Sequence, residues 1–189
     1  MKKTILLLIL SIPLLQGCVP TMLAGAAAVG LVVYDNRSSK TILNDHNISY
    51  KAQNIINHDE LLKNHSNIYV TSFNYTILLT GEVENDLLKK RAENLIKNIK
   101  GIKQIHNQVT IGPKISTAAL SNDALITTKV KTELLKENGL ETTQIKVITQ
   151  NSTVYLMGLI SKKDGDLAAE ITRNINGVNK VVKVFEYVQ

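Results

Sequence analysis

An internal repeat constrains the fold of this 189-residue chain more than any other feature of its sequence. The first copy contains an apolar stretch that ends in Gly81, a segment typical of a helix, and then Gly101. The second copy contains a matching stretch that ends in Gly158, a helical segment, and then Gly177. The spacing of the two glycines is the same in both copies apart from one deletion. Such a repeat predicts two copies of one small domain.

Each copy is predicted to run helix, strand, strand, helix, strand. The first helices are expected over residues 47–64 and 122–138. In the second of these, Ile126, Val130 and Leu134 recur at the i, i+4, i+8 spacing of a half-buried helix. The final strands are predicted over residues 105–111 and 180–188.

Turn and capping residues place the remaining boundaries. Short polar loops at Asn74 and at residues 150–152 predict a hairpin in each copy. Gly81 and Gly158 are expected to end their strands, either because a side chain does not fit there or because the backbone needs a positive φ.

The last helix carries its own boundary signals. Ser161 and Asp164 form a variant capping box that predicts the start of this helix. The helix is expected to run to Ile175, and Gly177 is expected to cap it.

The N-terminus has the features of a secretory signal. Lys2 and Lys3 precede an apolar run over residues 5–15, which is too short to span a bilayer, since a span needs about 20 residues. The Gly-Cys pair that ends in Cys18 resembles the bacterial lipobox, in which the cysteine is acylated and becomes the new N-terminus. The resemblance implies a signal peptide over residues 1–17. A secreted protein with a stray cysteine is the alternative.

Acylated Cys18 would be a firm membrane anchor, because each buried methylene contributes about 0.8 kcal/mol. Val19 follows it, and by resemblance to enteric lipoproteins this implies the periplasmic leaflet of the outer membrane. Residues 18–44 are predicted to form a tether. Their apolar segment 22–33 favours a pliable linker, with interfacial contact as the alternative. Cys18 is the only cysteine, so no disulfide can form within the chain.

The charge of the chain is nearly balanced within each copy. The formal net charge is +6, and it falls to +4 once Lys2 and Lys3 leave with the signal. A nucleic-acid-binding protein is expected to cluster basic charge on one face or in one domain. The sequence therefore argues against nucleic acid as a partner.

The repeat resembles the BON domain. Gly81 with Gly101-Ile102 carries this resemblance in the first copy, and Gly158 with the segment 177–181 carries it in the second. Two such copies behind a lipobox are similar to the dual-BON outer-membrane lipoproteins of the DolP family. Segments 14–19, 126–130 and 154–159 fit that family closely.

The family resemblance implies an α+β fold with two tandem αββαβ domains, each with a small three-stranded mixed sheet and two helices on one face. The domains are expected over residues 45–112 and 120–189, with a linker over 113–119. The resemblance also implies no catalysis, binding of anionic phospholipid through the first helix of the second domain, a role in outer-membrane integrity, and enrichment at division sites.

The first helix of the second copy has a stripe that suits this role. At about 100° per residue, four side chains share a face turned away from the core, and a fifth borders it. These are Leu125, Lys129, Thr132 and Lys136, with Leu135 at the border. Leucine with lysine is typical of an interfacial surface, and two lysines near an anionic surface contribute about 1 kcal/mol each. Lysines that are merely solvated are the alternative.

Two sequence features bear on the predicted lipid binding of this stripe. The family often places an aromatic residue at the position of Leu125, and leucine offers only apolar area at the headgroup level. The equivalent helix of the first copy is expected to lack the pattern, since it carries Lys51 and Lys63 among polar residues. Lipid binding is therefore predicted for the second domain alone.

The sequence offers little material for catalysis, and no cofactor or metal is expected. All four histidines lie in the first copy, and no ligand set among residues 58–65 has a recognised metal-binding spacing. Two hypotheses remain. The first is a module that binds anionic phospholipid. The second is a scaffold whose domains dock to each other or to envelope proteins, with exposed sheet edges available for strand addition.

Overall fold

The structure, a computed structural model, describes residues 37–188. The signal peptide, Cys18 and the apolar segment 22–33 lie outside the described residues. The elements of the first domain are α1 (Ser39–His58), α2 (Glu60–His65), β1 (Ser66–Phe73), β2 (Thr76–Val83), α3 (Asp86–Ile96), β3 (Gln104–Asn107) and β4 (Thr110–Ile111). Those of the second domain are α4 (Thr117–Lys136), a 3₁₀ turn (Thr142–Gln144), β5 (Ile145–Gln150), β6 (Thr153–Ile160), α5 (Lys162–Arg173) and β7 (Lys180–Tyr187).

The predicted α+β fold with two αββαβ domains is confirmed. In each domain the first two strands form an antiparallel hairpin, and the last strand pairs in parallel with the second. The last strand of the first domain is interrupted, so that β3 and β4 pair with successive parts of β2. The helices of each domain cover one face of its sheet.

The helix-facing cores follow the predicted periodicity. In α4 the buried apolar side chains are Ile126, Val130 and Leu134, and they pack on the inner face of the second sheet. The equivalent positions of α1 are Ile48, Ala52 and Ile56, which pack on the first sheet. Complete burial of a residue such as leucine or isoleucine contributes about 1.5–3 kcal/mol, so these stripes fix each helix on its sheet.

The outer faces of the two sheets pack against each other. A third apolar cluster joins Phe73 and Leu78 of the first domain to Tyr155, Met157 and Val184 of the second. Both domains belong to one compact unit. The result is a four-layer arrangement of helices, sheet, sheet and helices.

A buried polar contact lies between the same two sheets. Gln150 donates to Glu82 across 2.8 Å, and both side chains are buried. The second carboxylate oxygen of Glu82 has no hydrogen-bond partner among the described residues. Burial raises the pKa of the Tyr155 phenol, and the charge of Glu82 raises it further.

Both first helices begin earlier than predicted. α1 begins at Ser39 rather than 47, because the Ser38 hydroxyl accepts the backbone N–H of Thr41. α4 begins at Thr117 rather than 122, because Ser116 caps it in the same way. These caps satisfy backbone donors that the helix leaves unpaired. The predicted tether and linker are therefore helical in their last residues.

The predicted helix over 47–64 is broken at Asp59. The backbone of Asp59 is extended, and its carboxylate accepts the N–H groups of Leu61 and Leu62 to begin α2. Arg91 of α3 donates to both carboxylate oxygens, at 2.7 and 2.8 Å. This hydrogen-bonded guanidinium lowers the pKa of the Asp59 carboxyl.

One aspartate on each first helix holds the adjacent hairpin turn. Asp123 accepts the backbone N–H groups of Asn151 and Ser152, at 2.7 and 2.8 Å. Asp45 does the same in the first domain, and both turns hold two consecutive non-glycine residues at positive φ. That conformation matches the twist of a hairpin but strains most side chains. Neither aspartate was singled out from the sequence, although they occupy equivalent places in the repeat.

The strand glycines lie inside their strands rather than at the ends. β2 continues past Gly81, and β6 continues past Gly158. Gly81 has a φ of +111°, and an added Cβ would lie 1.8 Å from the carbonyl oxygen of Asn67. Gly158 keeps a strand backbone, but its Cβ would lie 2.5 Å from the carbonyl oxygen of Gln144. Close backbone approach therefore explains both positions, and positive φ applies only to the first.

The other two glycines face the first helices. Gly101 and Gly177 have φ values of +100° and +102°, and an added Cβ would lie 3.3 Å from Ile48 and 3.2 Å from Ile126. Gly177 does not cap α5, which ends at Arg173 in a turn, so that prediction is wrong.

The predicted start of α5 is confirmed. Ser161 is its N-cap and accepts the backbone N–H of Asp164. The Asp164 carboxylate accepts the Ser161 hydroxyl at 2.8 Å, which is the variant part of this capping box.

Candidate lipid-contacting surface

The five residues predicted for lipid contact are all exposed on α4. Leu125 is 62% exposed and Leu135 is 59% exposed, which is far more than a leucine in a core. Lys129, Thr132 and Lys136 are exposed as well. Their position follows from the burial of the opposite side of the helix against the sheet. We call this set the α4 face.

The charges of the α4 face are unequal. Lys136 forms an ion pair with Glu133 at 2.6 Å, so part of its charge is compensated. No carboxylate among residues 37–188 pairs with Lys129. Thr132 donates its hydroxyl to the backbone carbonyl of Thr128 at 2.9 Å and so carries no charge to the face. Lys129 is therefore the stronger site for an anion.

Sequence reasoning missed Lys131, which is also exposed. On a helical projection it lies about 40° from Leu135, on the side opposite Lys129. The α4 face thus has a lysine on each flank of its two exposed leucines. The helical angle alone could have shown this.

A shallow cavity adjoins the α4 face. It has a volume of about 450 Å³ and lies between Lys129 and the segment after α5 that contains Ile175 and Asn176. It is open to solvent rather than enclosed. Such a shape suits contact with a surface better than capture of a small molecule, since small-molecule sites bury most of the ligand.

The described residues offer neither a membrane span nor a metal centre. Between residues 37 and 188, no helix has the length and apolar character needed to cross a bilayer. Within the same range, no three His, Cys, Asp or Glu side chains could together hold a metal ion. The histidines are separate: His65 contacts Glu84 at 2.9 Å, His58 contacts a helix carbonyl at 2.8 Å, and burial lowers the pKa of His106.

Comparison with known proteins agrees with two copies of one domain. The family model of the BON domain matches residues 44–113 and 122–189. The chain is 35% identical over 187 residues to the outer membrane lipoprotein DolP of Haemophilus influenzae, covering 99% of this chain and 96% of that protein. It is 37% identical over 155 residues to a protein of Actinobacillus pleuropneumoniae named 21 kDa hemolysin, covering 82% of this chain and 80% of that protein.

A solved structure of CdsD, a structural protein of the type III secretion system of Chlamydia trachomatis, is 14% identical and covers 73% of this chain and 92% of that chain. Its TM-score of 0.31 is too low to support a conclusion.

These matches define a protein with two BON domains. The chain belongs to the DolP family of dual-BON outer-membrane lipoproteins. Neither relative is named for an enzymatic activity.

Proposed function

We propose that this protein is anchored through acylated Cys18 in the periplasmic leaflet of the outer membrane and binds anionic phospholipid through the α4 face. In this role it supports envelope integrity and gathers at division sites. The main support for this proposal is the combination on α4 of two highly exposed leucines with Lys129. No carboxylate among the described residues pairs with Lys129. Apolar area gives shallow insertion, and unpaired cations give preference for anionic headgroups.

The expected free energy of lipid binding by the α4 face is small, which is sufficient for a tethered protein. A lysine near an anionic membrane contributes about 1 kcal/mol. Lys129 and Lys131, together with Lys136 in its ion pair with Glu133, therefore give only weak affinity. A lipid anchor raises the effective concentration of the α4 face at the membrane, so weak affinity is sufficient. The contact is therefore reversible while the anchor holds the protein in place.

A scaffold for outer-membrane assembly or cell-wall remodelling proteins is the second candidate. The observation that favours it is β7, an eight-residue strand at the edge of its sheet. Such an edge offers unpaired backbone groups to a partner strand.

Flotation on liposomes tests the first function. Residues 19–189 lack the anchor cysteine and would be mixed with liposomes that contain or lack phosphatidylglycerol. We expect flotation only with the anionic lipid and weaker flotation at high salt, because exposed charges are screened. Leu125→Asp and Lys129→Glu should each lower it about fivefold or more.

Matched controls carry the same changes elsewhere. Leu87→Asp alters a leucine on α3 that is even more exposed than Leu125, and Lys163→Glu reverses an exposed lysine on α5. Both should float like the unaltered chain, with folding verified by circular dichroism. Flotation that ignores the lipid charge, or that is undiminished by both α4 changes, contradicts lipid binding by the α4 face and favours the scaffold.

A further inference from the structure

A second helix face of the described body has the same combination of exposed apolar side chains and unpaired cations. On α1, Leu43 and Tyr50 are each 64% exposed, and they lie seven residues apart on one face of the helix. Tyrosine is a residue that prefers the headgroup level of a membrane. Lys40 and Lys51 lie on the flank of the same face and are exposed. We call these four residues the α1 face.

The outward side of α1 carries no carboxylate. The one acidic residue of the helix is Asp45, which is 4% exposed and bound by Arg37 at 2.6 Å. No carboxylate among residues 37–188 pairs with Lys40 or Lys51. A twenty-residue helix whose exposed charges are all cationic is complementary to an anionic surface.

The repeat gives the two helix faces a common plan. Asp45 and Asp123 perform the same contact with their hairpins, so they define equivalent positions. By that correspondence, Lys51 occupies on α1 the place of Lys129 on α4. The sequence pattern concealed this likeness, because a helix predicted to begin at residue 47 excludes the first half of the α1 face.

The two faces cannot rest on one flat bilayer together. The sheets pack back to back, so α1 and α4 belong to the two outermost layers of the body. The proposed anchor reaches the body at the start of α1. The twenty residues between Cys18 and Ser39 extend to at most about 70 Å, which permits either layer to face the membrane.

We propose that the α1 face is a second site for an anionic lipid surface, and that it alternates with the α4 face on the membrane that holds the anchor. The alternation rests on the proposed anchor and α4 face, whereas lipid binding by α1 does not. Free of the anchor, one body with two opposite lipid sites should join two vesicles.

Vesicle clustering tests this directly. Residues 19–189 would be added to vesicles of phosphatidylethanolamine with or without phosphatidylglycerol, and clustering would be followed by dynamic light scattering. We expect clustering of the anionic vesicles alone. Leu43→Asp/Tyr50→Asp should abolish clustering and leave flotation through α4. Leu125→Asp/Lys129→Glu should abolish clustering and leave only the weaker flotation that α1 supports. The combination of all four changes should lower flotation at least about tenfold.

A site-specific probe reports contact at α1 itself. Because Cys18 is the only cysteine, residues 19–189 have none, and a single cysteine can carry an environment-sensitive fluorophore. Tyr50→Cys should give a blue shift with anionic vesicles and none with neutral ones. Tyr69→Cys, on strand β1, is the matched control for an exposed tyrosine and should give no shift.

The outcomes are separable. Binding without clustering, together with an unshifted probe at position 50, overturns the α1 site and leaves the proposed function standing. Clustering of neutral vesicles overturns the α1 face as a site for anionic lipid. Association of the protein without vesicles, lost in the α1 variant, overturns it in favour of a second copy as the occupant of the α1 face. Flotation unchanged by the α4 substitutions, with clustering lost through the α1 substitutions, refutes the α4 face and supports the α1 site.

Discussion

The aspartate that holds each hairpin turn should be among the most costly side chains to remove. Asp123→Ala leaves two backbone N–H groups, those of Asn151 and Ser152, without the carboxylate that accepts them. Hydrogen bonds to a charged group contribute about 1.5–3 kcal/mol each. Because Asn151 is exposed, water replaces part of this loss. We expect Asp123→Ala to lower the free energy of unfolding by about 2–3 kcal/mol.

Asp45→Ala should cost more. Besides the two turn N–H groups, Asp45 accepts hydrogen bonds from the hydroxyl of Ser72 at 2.7 Å and from Arg37 at 2.6 Å. Ser72 is buried, so water cannot easily replace its partner. We expect a loss of about 3–5 kcal/mol, at least 1 kcal/mol beyond that for Asp123→Ala.

A substitution in the strained turn of the second domain should restore part of the stability that Asp123→Ala loses. Ser152 has a φ of +59°, which glycine adopts without steric cost. Ser152→Gly in the Asp123→Ala background should recover about 1 kcal/mol. Urea unfolding of residues 19–189, followed by circular dichroism, measures all three variants. A cost below 1 kcal/mol for Asp123→Ala, or a larger cost there than for Asp45→Ala, would refute the reasoning.

Three further predictions concern packing and charge. Gly158→Ala should lower stability by about 1–3 kcal/mol, because the new Cβ meets the carbonyl oxygen of Gln144; thermal unfolding measures this. Arg91→Met should lower the free energy of unfolding at pH 7, because it removes the partner of the Asp59 carboxylate. Since Arg91 lowers the pKa of Asp59, this contribution is present above the ordinary value of 3.8 and is lost as the pH falls through the lowered pKa, so the urea midpoints of the two proteins should converge in acid, once Asp59 is protonated in both. Glu82→Gln should raise the free energy of unfolding at pH 7 by about 1 kcal/mol, as measured by urea unfolding. The substitution removes a buried charge that has one unpartnered oxygen.

Local signals in the sequence were sufficient to predict the order of helices and strands within each domain. The repeated glycines and the spacing of Ile126, Val130 and Leu134 predict the domain plan, since burial of one helix face imposes that periodicity. Ser161 predicts the start of α5 because its cap is a contact between neighbours in the chain. Such contacts require no knowledge of distant residues.

The errors arise where apolar periodicity is absent or a distant partner decides. The first turns of α1 lie partly outside the core, so their polar residues resemble a linker, although Ser38 caps them. The break at Asp59 depends on Arg91, which is 32 residues away and on another helix. The α4 face was predictable from helical angles, but the pairing of Lys136 with Glu133, which weakens it, depends on side-chain conformation.

The back-to-back packing of the sheets determines where this protein can bind anything large. A strand such as β6, with Val154, Tyr155, Leu156 and Met157 in succession, has apolar side chains on both faces and so requires cover on both. One side is covered by helices and the other by the second sheet. In the described part of the chain, neither sheet face therefore remains for a partner. What remains is two helix layers and the strand edges. Because the layers lie on opposite sides, the proposed lipid binding by the α1 face and the α4 face makes the orientation on the membrane depend on the relative affinity of the two faces for lipid. Under that proposal, a substitution that weakens one face should leave the helix layer that carries it accessible to a partner while the other layer contacts the membrane.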